Sequence, residues 1–150
     1  MGRIFDARGL VPRSGGRVRA VVIGVRTEAA ARFAPVDALS FCALLSEAGC
    51  GRGDVQLLLS PCRDPSAGCR LATRAHMVAA LRGAAAACAR GDALLVFYAG
   101  VSCCTGDPPT LHLFPCDGRL DDLTSLMSLL ELCDLVRESA ASARYLFVDA

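Results

Sequence analysis

Apolar positions along the chain gather into short blocks separated by glycine, proline and polar residues, and the blocks alternate between strand-like and helical spacing. Arg19 to Val25 (RAVVIGV) is a nearly unbroken β-branched run closed by polar residues, the pattern of a strand buried on both faces. Val36 to Ala48 follows a helical period, with Ala38, Leu39, Cys42 and Ala43 expected on one face and Gly49 and Gly51 ending it. Val55 to Leu59 reads as a second strand, and Ser60 to Arg70 as a loop. Thr73 is the expected cap of a helix over Arg74 to Ala89, with Met77, Val78, Leu81, Ala85 and Cys88 on its apolar face and Gly91 beyond its end. Ala93 to Tyr98 is the most strand-like run, followed by a loop with Cys103, Cys104, Gly106, Pro108 and Pro109 and a short strand at Thr110 to Phe114. A helix over about Ser125 to Ser139 is expected to bury Leu126, Leu129, Leu130, Cys133 and Val136, and Arg144 to Val148 forms a last strand.

This order of strands and helices predicts an α/β fold, a three-layer αβα arrangement around a mainly parallel sheet. Residues 1–17 are rich in glycine and arginine without periodicity and read as a flexible leader, so the folded domain is expected over 18–150. With 150 residues, 53% of them hydrophobic, the chain has material for one core, which excludes disorder as the default. In open parallel sheets the site lies outside the carboxyl ends of the strands, and those ends are where candidate chemistry is sought.

Sixteen basic residues against fifteen acidic ones leave a net charge of +1, too weak a field to recruit nucleic acid or an anionic membrane. Every basic residue is arginine, but the arginines stand singly, which also argues against a nucleic-acid surface. Nine cysteines include no CxxC pair, so a zinc site is not expected, and most are read as small core residues or surface thiols. Residues 1–16 lack the apolar centre of a secretory signal, which points to a cytoplasmic, reducing setting. No apolar run reaches membrane-spanning length, and Asp6 stands where a myristoylation signal wants Ser or Thr.

Nucleotide chemistry finds no support, because Gly24-Val25-Arg26-Thr27 after the first strand matches neither GxGxxG nor the phosphate-binding loop. A phosphoacceptor Asp is missing after Tyr98, and no GxSxG nucleophile elbow occurs. His76 and His112 are isolated from each other and read as structural or solvated.

Several short segments occur in a telling order: the strand Arg19 to Val25, the helix start with Asp37, the opening Thr73-Arg74-Ala75, then Phe97-Tyr98-Ala99-Gly100, Leu113-Phe114-Pro115-Cys116-Asp117 and Phe147-Val148-Asp149-Ala150. Over 18–150 the chain resembles the large-subunit portion of a caspase-like domain, of the kind found in metacaspases and their bacterial relatives. In that family a Tyr-Ser-Gly-His-Gly pattern carries the catalytic His and an Asp-Ser-Cys or Asp-Ala-Cys pattern carries the nucleophile. Here the first reads Tyr98-Ala99-Gly100-Val101-Ser102, so Val101 occupies the His position, and the second reads Asp149-Ala150, where the given sequence ends. A cysteine protease needs a thiolate paired with an imidazole that later protonates the leaving amine, and valine supplies neither function.

The resemblance also implies an acidic primary pocket for Arg or Lys, which maps onto Asp37 and Asp149, with Ala99 replacing an accompanying Ser. On general grounds Asp37 also reads as a helix N-terminal acid favoured by the macrodipole, and Asp149 as a solvated strand-end carboxylate. Many relatives use calcium, but the resemblance assigns no ligands for it here, and no other cofactor or metal is expected. The resulting expectation is a domain of cysteine-endopeptidase ancestry, inactive as given, with a protein or peptide as the partner that the resemblance implies, a sheet that would continue past residue 150 and an exposed C-terminal edge open to association. A relocated dyad of Cys103 or Cys104 with His112, a non-catalytic interaction module, and a flavodoxin-like small-molecule binder stand beside it as alternatives.

Overall fold

The β-branched run from Val18 to Val25 forms strand β1, with every side chain except that of Arg19 buried, in a computed structural model that describes residues 15–27, 30–62 and 68–150. The chain continues through α1 (Ala34–Glu47), β2 (Val55–Ser60), β3 (Cys69–Leu71), α2 (Arg74–Ala87) and β4 (Ala93–Ala99). It then forms β5 (Ser102–Thr105), β6 (Thr110–Leu113), β7 (Met127–Ser128), α3 (Leu129–Arg137) and β8 (Ala143–Asp149). The expected leader lies outside the described residues as far as position 14, and Arg17 beyond it is already tied to the sheet through its backbone.

Strands β3, β2, β1, β4 and β8 lie side by side in that order, and every pairing is parallel. The α/β fold expected from the alternation of elements is therefore present as a three-layer αβα arrangement. Val21, Ile23, Leu94, Val96 and Tyr98 face α2 and α3, packing with Met77, Leu81, Leu132 and Leu135. Ala20, Val22 and Leu95 face the other way, onto Ala38, Phe41 and Leu45 of α1. Phe41 stacks on Phe97 with ring centroids 4.3 Å apart, which seats α1 over β4.

Gly24 decides how closely α1 can approach. A Cβ there would lie 2.6 Å from the Ala34 carbonyl oxygen and 2.8 Å from the Ala38 methyl, so only glycine lets the start of α1 rest on the carboxyl end of β1. The buried face of α1 is Ala34, Ala38, Phe41 and Leu45, whereas Leu39 is 48% exposed and Ala43 is exposed. The expected face is rotated because the helix docks through Ala34 and Ala38 at Gly24 and through Phe41 and Leu45, with Leu39 left outside.

The loop expected over Ser60 to Arg70 contains the edge strand β3, whose run of three residues is too short to leave a periodic signal. The connection from Ser60 to Cys69 is shorter than the dozen or so residues usual for a parallel crossover. It brings Cys62 and Cys69 to a Cα separation of 6.7 Å, and the two are joined in a disulfide, so this pair is not among the free thiols expected.

After β4 the chain builds a second, antiparallel sheet of β5, β6 and β7, so Cys103 and Cys104 lie on a strand, not in a loop. Helix α3 starts at Leu129, after a 3-10 turn at Leu123–Ser125 and the short strand β7. It buries Leu132, Leu135 and Val136 and leaves Leu130 64% exposed, which corrects the expected stripe. The Thr73 cap is as expected, its hydroxyl accepting the His76 amide at 3.2 Å. Arg74 ties α2 to α3, donating to both Glu131 carboxylate oxygens at 2.7 and 2.8 Å and to the Leu126 carbonyl at 3.0 Å. Strand β8 pairs with β4 and forms the sheet edge among the described residues, with Val148 36% exposed. No helix among the described residues is long and apolar enough to cross a membrane.

At the opposite end of the sheet, the buried Asp92 carboxylate accepts the Ala89 amide at 2.9 Å and the Arg17 amide at 2.8 Å. These two bonds hold its carboxyl below the usual carboxylate range. A carboxylate depressed in the fold contributes stability that is complete above its unfolded value, about 4, and is lost as pH falls through the lower folded value. Asp92→Asn is expected to cost about 1–3 kcal/mol in urea unfolding at pH 7 and to remove part of the destabilisation seen in the parent below about pH 4.

Candidate functional site

Because β1, β4 and β8 run parallel, their carboxyl ends emerge on one edge of the sheet. Ala99 is the register partner of both Gly24 and Asp149, and the Gly100 amide donates to the Asp149 carbonyl at 3.0 Å. The start of α1 closes over this edge through a tight turn, in which the Ala34 amide donates to the Ala31 carbonyl at 3.0 Å and the Asp37 amide to the Phe33 carbonyl at 2.9 Å. Between them lies an open cleft of about 270 Å³, lined by residues that include Arg32, Phe33, Asp37, Ala99, Gly100 and Asp149.

The two aspartates singled out in the sequence are thus brought to one cleft, beside the Ala99 backbone. Asp37 stands in the first turn of α1, where the helix dipole favours a carboxylate, and Asp149 stands at the end of an exposed strand. Among the described residues, neither takes part in an ion pair. The sequence reading missed Arg32 and Phe33, which line the same cleft. The Arg32 guanidinium lies 4.8 Å from the centroid of the Phe33 ring, so the cleft carries both signs of charge instead of being purely acidic. Nothing in the local spacing marked that arginine, since it is one of many single arginines and its placement follows from the turn before α1.

Val101 follows directly on the cleft wall. Its carbonyl accepts the Tyr98 hydroxyl at 2.8 Å and the Phe114 amide at 3.0 Å. Tyr98 is fully buried, and its hydroxyl also accepts the Phe114 amide at 3.2 Å. Burial pushes the phenol well above its usual range, so it stays protonated and keeps donating. A Cβ on residue 100 would fall 2.5 Å from the Tyr98 hydroxyl oxygen, so the chain can fold back over the ring only as glycine. Tyr98 and Gly100 therefore set the turn that carries the aliphatic Val101.

No histidine or cysteine is among the residues lining the cleft. His76 donates through Nδ1 to the Leu71 carbonyl at 2.8 Å, and His112 through Nδ1 to the Thr110 carbonyl at 2.9 Å. Cys103 is the register partner of His112 on the β5–β6 hairpin, and Cys104 that of Leu111. Burial pushes the Cys42 thiol up to about 11, and it raises Cys50, Cys88 and Cys116 as well, aided by the neighbouring Asp54, Asp92 and Asp117 respectively. These four groups are thiols, not thiolates, at neutral pH. Among the described residues no group of three or more His, Cys, Asp or Glu is placed to hold a metal ion.

No protein-family model matches the chain, and no curated protein matches it in sequence. Its fold is similar to that of the protein GSU0716 from Geobacter sulfurreducens, with a TM-score of 0.64 at 20% sequence identity over 88% of this chain. The chain spans about half the length of that protein, 48% of it being covered. At this identity the likeness shows the shared fold alone.

The Tyr98 network gives a direct check on the turn beside the cleft. Tyr98→Phe keeps the ring but leaves the Phe114 amide without its hydroxyl acceptor and the two carbonyls without their shared donor. It is expected to cost about 1–3 kcal/mol in chemical denaturation. An unchanged midpoint would show that the turn does not depend on the phenol.

Proposed function

We propose that this chain is a caspase-like domain that binds an arginine- or lysine-bearing protein or peptide without cleaving it. The observation that carries the reading is the meeting of Asp37 and Asp149 at one cleft beside Ala99, the positions to which the family resemblance assigns an acidic pocket. The two carboxylates come from elements far apart in the sequence, and both lack an ion-pair partner among the described residues. A guanidinium or ammonium group entering between them gains attraction from both carboxylates. Turnover is not part of the proposal, because Val101, at the position to which the resemblance assigns the histidine, offers no acid or base.

The exposed setting makes each charge contact modest, and binding is therefore expected in the weak range and to fall with ionic strength. A short peptide with a central arginine should bind more tightly than its citrulline counterpart in fluorescence anisotropy at low salt. Asp37→Asn and Asp149→Asn should each weaken it by about two- to fivefold, and mass spectrometry should recover the peptide uncut. Equal binding of the arginine and citrulline peptides, or indifference to both substitutions, would refute the reading.

A further inference from the structure

The cleft holds one cation of its own, and that cation is not paired with either of the carboxylates beside it. Arg32 lines the cleft together with Asp37 and Asp149, yet among the described residues it forms no ion pair. Its guanidinium instead lies over the ring of Phe33, a side chain 61% exposed. A cation–π contact with the ring gives the guanidinium no hydrogen-bond acceptor, so its N–H fork remains available to a planar anion such as a carboxylate.

A ligand that satisfies such a cleft carries both signs: a cation for Asp37 and Asp149 and an anion for Arg32. An arginine inside a peptide chain brings only the cation, and its passage would leave Arg32 repelling it. An arginine or lysine at the end of a chain brings its own carboxylate, separated from the side-chain charge by the length of one residue, and the cleft of about 270 Å³ is of single-residue size.

We infer that the cleft recognises the carboxyl terminus of a polypeptide ending in arginine or lysine, with Asp37 and Asp149 on the side chain and Arg32 on the terminal carboxylate. This rests on the reading of the cleft as a site for a basic side chain, and it narrows the partner to a chain end, such as the one exposed when a protein is cut after arginine or lysine.

The test compares three peptides of one sequence by fluorescence anisotropy: arginine-ended with a free carboxylate, the same peptide amidated, and a citrulline-ended acid. The parent protein is expected to favour the free acid over the amide by about tenfold, the scale of a charge-assisted bidentate contact. Arg32→Gln should bring that preference below about twofold, and Arg32→Lys should retain part of it, because an ammonium has the charge without the fork. Phe33→Leu, which leaves every charge in place, should reduce it by loosening the guanidinium. Thermal unfolding followed by circular dichroism verifies that each variant is folded. If acid and amide bind alike, or if the preference survives in Arg32→Gln, the inference is overturned while the reading of an arginine cleft stands. If the arginine peptides bind no better than the citrulline one, that reading falls and the inference with it.

Discussion

The common direction of the strands is the constraint on which the rest of this structure depends. Parallel pairing of β1 with β4 and of β4 with β8 sends their carboxyl ends to one edge, and the register then sets Gly24, Ala99 and Asp149 side by side. Only because residue 24 has no side chain can the first turn of α1 settle on that edge and bring Asp37 with it. The cleft is thus a product of topology and one close approach, not of a local motif, and its two carboxylates meet although more than a hundred residues separate them along the chain.

The wall of the cleft is stiff where it meets the second sheet. Tyr98 is buried beneath Gly100 and bonded to the backbone of Val101 and Phe114, which couples the end of β4 to the β5–β6 hairpin. The residue that this turn presents beside the cleft is valine. Desolvation keeps the thiols of Cys42, Cys50, Cys88 and Cys116 protonated at neutral pH.

Strands β1, β2, β4 and β8 were legible from their apolar runs and lie within a residue or two of their expected bounds. The capping hydroxyl of Thr73 was legible for the same reason, a local signal with a local cause. Of the short strands, β6 was legible, and β3 and β5 were not. β3 and β5 are held by their neighbours' ladders, and neither their length nor their cysteine-rich composition announces a strand. Helix faces failed where packing, not periodicity, chose the contact: α1 turns its alanines and Phe41 inward against Gly24 and Phe97, leaving Leu39 outside. At the site, Asp37 and Asp149 were found through the order of family-like segments, whereas Arg32 and Phe33 belong to a turn whose geometry exists only once α1 has docked.

A cleft with unpaired groups of both signs differs from a simple acidic pocket in what it selects, because a ligand gains most when it brings complementary charges at a fixed separation. The central claim is that this one edge of the sheet is where the partner binds. Amide chemical-shift mapping with an arginine-ended peptide tests it most directly. The account predicts perturbations concentrated in Ala31–Asp37, Ala99–Gly100 and Asp149–Ala150; shifts centred on the β5–β6 hairpin or the β3 edge, or none at saturating peptide, would contradict it.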